Sequence, residues 1–386
     1  MLKAKRAETA AGMADKKRRI RLGVLFGGMS GEHEVSLSSA ASLIGALDPE
    51  VFEVTAIGIT KSGRIATQAE LRDMLPPALH QRVRLQAGAA GSDRPMHSTG
   101  LFAHGDDPES QPEILFPLLH GPYGEDGTIQ GLLEIAGLAY IGCGVLASAV
   151  GMDKVIMKRL FLQAALPVVP FCVEASQGLE QRVGTLRRAA EKEFDYPMFS
   201  KPANLGSSVG VFKIHHAGEF DGAVLASARF DRKIIVEKGI DARELECAVL
   251  GNEHPAASPV GEIFPACEFY DYQAKYVNPA SRTQIPADID REQAEEVRRL
   301  AVRAFTAIDG AGLARVDFFL DRKTGAVWLN EINTMPGFTA ISMYPKLWAA
   351  DGISFNDLIR RLVELGLERH RERSVYTAAQ VNPDAR

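Results

Sequence analysis

Residues 313–337 read LARVDFFLDRKTGAVWLNEINTMPG, and this stretch decides the fold. Two runs rich in β-branched and aromatic residues, Leu313–Leu320 and Ala326–Ile332, flank the turn-forming Asp-Arg-Lys-Thr-Gly, which predicts an antiparallel hairpin. Side chains alternate faces with period two, so Arg315 and Asp317 share a face, as do Glu331 and Asn333. Symmetric pairing about the turn puts Arg315 opposite Glu331 and crowds all four polar groups together. An Asp, a Glu and an Asn supply hard oxygens of the kind magnesium takes, with positions left for water and phosphate. An arginine beside them can neutralise a phosphoryl group. A solvated face with one cross-strand ion pair would use the same residues.

Upstream, KPANLGSSVG (201–210) is a small-residue loop between two β-type segments. Such a loop lets backbone N–H groups approach phosphates, with Lys201 adding a point charge. It also contains G-x-S-x-G with Ser208 in the nucleophile position. That elbow should lead from a strand into a helix, whereas Val211, Phe212 and Ile214 follow here. A plain flexible hairpin stays open as an alternative. FGGMSGEHEVSL (26–37) follows a short apolar run, RLGVLF, and lacks the G-x-G-x-x-G spacing of a dinucleotide site. Glu34 falls at the start of a helix, where the helix dipole favours a carboxylate, as a cap or as a seat for an ammonium group. His120, in LHGPYGEDG, is ambiguous alone.

The 386 residues suggest two or three domains. Strands alternating with helices over the first part predict a parallel α/β domain at 20–144. A smaller α+β lobe follows at 145–240, opening with one helix from Val145 to Ala165. A third unit at 241–368 carries the hairpin and an amphipathic helix at Ser354–Leu367. A basic disordered tail (1–19) and a loose charged tail (369–386) complete the chain, and Pro76–Gln111 reads as irregular. The net charge of −5 lacks the basic concentration that nucleic-acid binding needs. The longest charge-free stretch, Ile135–Met152, is broken by four glycines and reads as strand, turn and helix start, not as a membrane span. Cys143, Cys172, Cys247 and Cys267 form no C-x-x-C pair and suit a reducing cytosol.

Together the motifs FGGMSGEHEVSL, HGPYGEDGTIQG, MDK, KPANLGSSVG, EKGIDARELE, FYDYQAKY, GLARVDFFL and NEINTMPGFT resemble, in order, those of D-alanine–D-alanine ligases of the ATP-grasp superfamily. The resemblance runs from about Arg21 to Leu367. It implies a three-domain ATP-grasp fold, α/β and α+β, with an N-terminal parallel α/β domain, in a cytoplasmic homodimer. It implies ATP and two D-alanine molecules as substrates and two magnesium ions, with manganese as a substitute. By the same resemblance, Lys154 and Lys201 bind phosphates, Glu237 meets adenine, Glu244 the ribose and Lys275 the γ-phosphate. Asp317, Glu331 and Asn333 match metal ligands. Glu34 matches the holder of the first D-alanine's ammonium group, with Ser207 and Tyr276 as its partners and His120 nearby. Arg315 and the Gly337 backbone would stabilise an oxyanion, and Ser342 would hold the second carboxylate. Met343 stands beside it where Leu is familiar.

Overall fold

The computed structural model describes residues 18–87, 111–264, 282–339 and 341–381. Strands β1 (Ile20–Gly27), β2 (Phe52–Ile59), β3 (Val83–Leu85) and β4 (Ile114–Leu118) form a parallel sheet in the order β3-β2-β1-β4. The continuous burial of β1 and β2 is what a parallel sheet covered on both faces requires. Helix α1 (His33–Ala46) follows β1. Short α2 (Gln68–Met74) follows β2, and α3 (Thr128–Ile135) follows β4. The loops at 28–32 and 119–127 therefore leave the carboxyl ends of adjacent strands, where open α/β sheets place ligands.

Next come α4 (Val145–Met152) and α5 (Lys154–Gln163). The single helix expected over 145–165 is broken at Asp153, whose carboxylate accepts from the backbone N–H groups of Val155 (3.1 Å) and Ile156 (3.2 Å) and so begins a new helix. An antiparallel sheet follows, β5 (Phe171–Ala175), β6 (Met198–Pro202), β7 (Phe212–Ile214) and β8 (Lys233–Lys238), in the order β5-β8-β6-β7. Helices α6 (Val183–Glu193) and α7 (Ala217–Ser227) cover one face, burying Leu186, Phe220 and Val224 against Met198, Ile234 and Val236. Alternation turns Phe199, Lys201, Ile235 and Glu237 to the other face.

The third sheet is also antiparallel: β9 (Ala242–Gly251), β10 (Ala256–Phe264), β11 (Arg282–Gln284), β12 (Gly312–Asp321) and β13 (Val327–Asn333), ordered β11-β10-β9-β12-β13. Helix α8 (Arg291–Ala307) packs Val297, Leu300 and Phe305 onto Leu245, Cys247, Val316 and Phe318. Helices α9 (Met343–Ala350) and α10 (Phe355–Val381) close the chain.

Packing redraws the expected boundaries. Ala248, Leu250, Leu313, Phe338, Trp348 and Leu362 share one core with Leu22, Phe26 and Phe116, so the first and third sheets are joined. Helix α4 packs with the third sheet through Ala147 and Val150 rather than with the central lobe. The tail expected to be loose from 369 is helical through Val381. Arg369 stacks on the Tyr140 ring at 4.1 Å and bonds its hydroxyl at 3.1 Å, and Arg373 pairs with Glu134. Within Pro76–Gln111, the described part holds a 3₁₀ turn at Pro77–Leu79 and strand β3, while residues 88–110 lie outside the described residues, as do 1–17 of the basic tail. Among the described residues, no helix is long and apolar enough to cross a membrane.

Candidate active site

A cavity of about 740 Å³ opens between the two antiparallel sheets. One wall comes from β6, β8 and the 205–208 loop; the other comes from β9, β12 and β13. Phe199, Ile240 and Phe319 give it apolar surface, and Lys154, Lys201, Glu244, Glu246, Asp317 and Glu331 give it charge.

On the second wall the expected polar cluster forms, with a different register. Arg315 pairs with Asn333 and Asp317 with Glu331. Symmetric pairing about a five-residue turn, with Arg315 opposite Glu331, is thus corrected by two residues: Leu320 pairs with Val327, so Ala326 joins the turn, and a bulge between Asp317 and Phe318 inserts Asn330 into the ladder. Arg315 grips both oxygens of Asp317 at 2.7 Å. The Glu331 carboxylate lies 3.4 Å from Lys154, and the Asn333 Oδ1 accepts from the Met335 N–H at 2.9 Å. With each side chain turned to such a partner, no three His, Cys, Asp or Glu side chains among the described residues converge on a metal position. Two further acids share this face: Glu244, opposite Phe319, and Glu246, opposite Asp317.

The first wall is built on helix α5. Its capped start puts Lys154 at the first helical position, from which Nζ reaches the Leu205 carbonyl at 2.8 Å. Four residues on, and so on the same helical face, is Lys158. Its ammonium, 1% exposed, lies 2.9 Å from one oxygen of Glu237, while Lys201 donates to the other at 2.6 Å. Burial works against the charge on Glu237, but the two lysines outweigh it and hold the carboxyl at about 2. Burial also opposes the charge on Lys201, yet Glu237 raises its pKa; for Lys158 burial wins and the pKa falls. Glu237, expected beside the adenine, lines the cavity with both of its oxygens facing ammonium groups and only 2% of the residue exposed.

At the carboxyl ends of β1 and β4, the structure separates two glutamates. Glu34, expected in the site, has a side chain 65% exposed and bonds Lys61 at 2.8 Å, which holds its carboxyl below the usual range. Glu32 takes the inward place: the Ser207 hydroxyl donates to its carboxylate. The physical reason is helical phase. Ser36, Ser39, Ala40 and Leu43 mark the buried face of α1; Glu32 precedes it in step, and Glu34 lies on the far side. Gly121 and Gly206 make room, since a Cβ on Gly121 would sit 2.5 Å from the Glu32 carboxylate and one on Gly206 3.4 Å. Ser207 and Ser208 both hold left-handed backbone (φ 51° and 57°), which turns the loop toward Glu32. Because this loop joins β6 to β7 and no helix follows, Ser208 is not a nucleophile elbow. His120 is buried beside this group, with its ring between Ser39 (3.1 Å) and Glu125 (3.3 Å). Burial lowers the histidine's pKa, but the Glu125 contact and the Glu32 charge raise it further, leaving it above the ordinary value.

The remaining expected residues lie near the start of α9. The Ser342 hydroxyl accepts from the Thr339 N–H at 3.0 Å, and a Cβ on Gly337 would come within 2.9 Å of that hydroxyl. The Met343 side chain is buried in the core against Gly261, which leaves its backbone, in the first turn of α9, for a ligand. Lys275 and Tyr276 lie outside the described residues. Sequence reading passed over Glu32, Lys158 and Glu246, although each carried a signal. Glu32 is in phase with Ser36, Lys158 interrupts the apolar run VIMKRLF, and Glu244 and Glu246 alternate with Leu245 and Cys247.

Two sheets closing on a cavity, lysines on one and carboxylates on the other, define the ATP-grasp fold. The family description "D-ala D-ala ligase N-terminus" matches residues 21–143, and "D-ala D-ala ligase C-terminus" matches 160–364. A D-alanine–D-alanine ligase of Acetivibrio thermocellus is 46% identical over 372 residues, covering 93% of this chain and 98% of the relative. One from Heliobacterium modesticaldum is 48% identical over 359 residues, covering 91% and 96%. Among solved structures, the D-alanine–D-alanine ligase of Coxiella burnetii has a TM-score of 0.75 at 34% identity, covering 95% of this chain and 99% of that one. The VanG D-Ala:D-Ser ligase of Enterococcus faecalis has a TM-score of 0.74 at 31% identity, covering 90% and 100%. The chain belongs to the D-alanine–D-alanine ligase family.

Proposed function

We infer that this protein is an ATP-dependent ligase that joins two D-alanines into D-alanyl-D-alanine for peptidoglycan precursor synthesis. One observation carries the reading: a nucleotide-sized cavity has ammonium groups on one wall and carboxylates on the other, with the Glu32–Ser207 pair nearby.

A carboxylate does not accept an amine directly, because oxide would have to leave. Transfer of the γ-phosphoryl group to the first D-alanine's carboxylate, releasing ADP, makes phosphate the leaving group. Lys154 and Lys201 suit the phosphates, with Glu237 fixing Lys201 in place. Glu244 suits the ribose, and Ile240 and Phe319 suit the faces of the base. Asp317, Glu331 and Asn333 fit magnesium by their hard oxygens, and their present partners are cations and an N–H, as expected of groups built to face positive charge. The bound ions, two in this reading and replaceable by manganese, supply charge neutralisation during phosphoryl transfer. Glu32 takes the ammonium role first given to Glu34, and Ser207 orients it. The second D-alanine attacks through its neutral amine, and the new C–N bond forms as the carbonyl becomes an oxyanion. Arg315 and the Gly337 N–H stabilise that oxygen. Collapse breaks the C–O bond and expels inorganic phosphate, which carries away the proton that the amine loses on becoming an amide. Ser342 and the first N–H groups of α9 suit the second carboxylate. The resemblance adds Lys275 at the γ-phosphate and Tyr276 beside Ser207. A cytoplasmic homodimer belongs to the same reading, and sedimentation of the full chain tests the dimer.

The experiment is phosphate release with D-alanine, L-alanine, D-serine or D-lactate as co-substrate, with products identified by mass spectrometry. D-Alanine-dependent release with D-alanyl-D-alanine as the product supports the reading. ATP turnover indifferent to D-alanine, or an acyl group trapped on Ser208, overturns it.

A further inference from the structure

Glu237 on β8 is a buried carboxylate with two cations, and the two are not equivalent. Lys201 reaches it from the neighbouring strand β6, lines the cavity and keeps 13% of its side chain exposed. Lys158 reaches it from helix α5 with 1% exposed, and the Phe171 ring stands 5.9 Å from its ammonium. That ammonium makes no hydrogen bond among the described residues, so its 2.9 Å contact with Glu237 is charge against charge. Helix α5 fixes it in place: Val155 packs on Ala203 and Ile235, and the Asp153 cap is paired with Lys233. Burial opposes the charge on Glu237, and Lys158 does more than Lys201 to restore it. One anion therefore serves two ammonium groups that repel each other, one sealed in and the other standing at the cavity wall.

We propose that Lys158 is a positioning residue: it stays on Glu237 as the resident counter-ion, so that Lys201 can turn from Glu237 to the phosphates of the nucleotide. This rests on the ligase reading above. A phosphate entering beside Lys201 competes with Glu237 for one flexible ammonium. With Lys158 in place, the departure of Lys201 leaves an ion pair behind and relieves the repulsion between two cations. Without Lys158, the same step strands a carboxylate in low dielectric, which is strongly unfavourable unless that carboxylate takes up a proton. The remaining charges that face this group are Glu244 and Glu331 on the third sheet, and both act on Lys201 in either case.

The test is isothermal titration of the full chain with ADP and magnesium, in buffers of different ionisation enthalpy, which counts the protons taken up on binding. Lys158→Met removes the charge with little change in shape. At about pH 8 it is expected to weaken ADP binding about tenfold, because the phosphates keep Lys154 and lose one charge-assisted contact. The deficit should shrink toward about pH 6 as the variant takes up more protons than wild type, the sign expected when a stranded Glu237 is protonated. Ionisation of ADP itself is common to both proteins and cancels. Adding Glu237→Gln should abolish the extra uptake. A deficit that stays constant with pH overturns the proposal, since Lys158 then acts as a distant charge alone, and so does an unchanged ADP affinity. Failure of the wild-type protein to bind ADP overturns the nucleotide reading itself, so the two failures are distinguishable. If Lys158→Met does not fold, Lys158→Gln, which keeps a hydrogen-bond donor for Glu237, gives the same comparison with a loss of about threefold. In turnover at about pH 8, Lys158→Met should raise KM for ATP about tenfold, with KM for D-alanine within about twofold. A lowered melting temperature with both KM values unchanged marks a purely structural role and also overturns the proposal.

Discussion

The two walls of the cavity hold charge in opposite ways. On the central sheet, Lys158 and Lys201 close on Glu237, and both carboxylate oxygens are taken at 2.9 and 2.6 Å. On the third sheet, Arg315 and Lys154 rest on Asp317 and Glu331 at the open face. The first arrangement is complete without a ligand. Removing one member leaves a charge in low dielectric, which costs far more than the pair contributes. The second faces the cavity, its side chains 14–28% exposed against 2% for Glu237, and each of its pairs is open to exchange with a ligand. Burial thus divides framework from working parts on two surfaces with similar residues.

The largest effect should come from the working wall. Asp317→Asn is expected to cut turnover by about a thousandfold or more, a barrier increase of about 4 kcal/mol, while the melting temperature stays near wild type. Wild-type-like activity at ordinary magnesium would break the comparison. The framework wall should respond in the other currency, stability. Glu237→Gln should destabilise the fold by about 3–5 kcal/mol in urea unfolding, because two ammonium groups lose their shared anion. The pH dependence sharpens this. Glu237 is held at about 2 against an ordinary 4.5, so its stabilising contribution is complete above the ordinary value and is lost as pH falls from there toward 2. The stability gap between wild type and Glu237→Gln should therefore be constant above about pH 5 and shrink on acidification. A gap that widens on acidification contradicts the ion-triad account.

Smaller effects separate the two glutamates of the first loop. Glu32→Gln should raise KM for the first D-alanine by about tenfold or more, as expected for loss of a charge-assisted contact. Glu34→Gln should change it by less than about twofold, since its partner is the exposed Lys61. The reverse order in steady-state kinetics would return the ammonium role to Glu34. Smallest of all, Arg369→Ala should loosen the end of α10 by about 1 kcal/mol, seen as faster amide exchange after residue 369 with turnover unchanged.

The strands and most helices were legible because period-two and 3.6-residue patterns record burial directly. The hairpin and its polar face were read from alternation alone. Its register was not, because neither the sixth turn residue, Ala326, nor the bulge at Asn330 leaves a signature in a polar, partly exposed strand. The break at Asp153 was readable in principle: an Asp ahead of an apolar run is a capping signal, and it was masked by apolar residues on both sides. Helix α10 continued past Leu367 because Arg369 and Arg373 find Tyr140 and Glu134, partners more than 200 residues away that no local pattern announces. Glu32 and Glu34 sit two apart around one histidine. Motif matching could not rank them, and only their phase relative to Ser36 and Leu43 does.

The central claim is that the cavity transfers the γ-phosphoryl group to a D-alanine carboxylate before the amide forms. It is tested most directly by following oxygen from D-alanine labelled with ¹⁸O in its carboxylate. Phosphoryl transfer to that carboxylate puts one labelled oxygen into each inorganic phosphate released, with ADP as the other product. Label in AMP, or phosphate released without label, would contradict it.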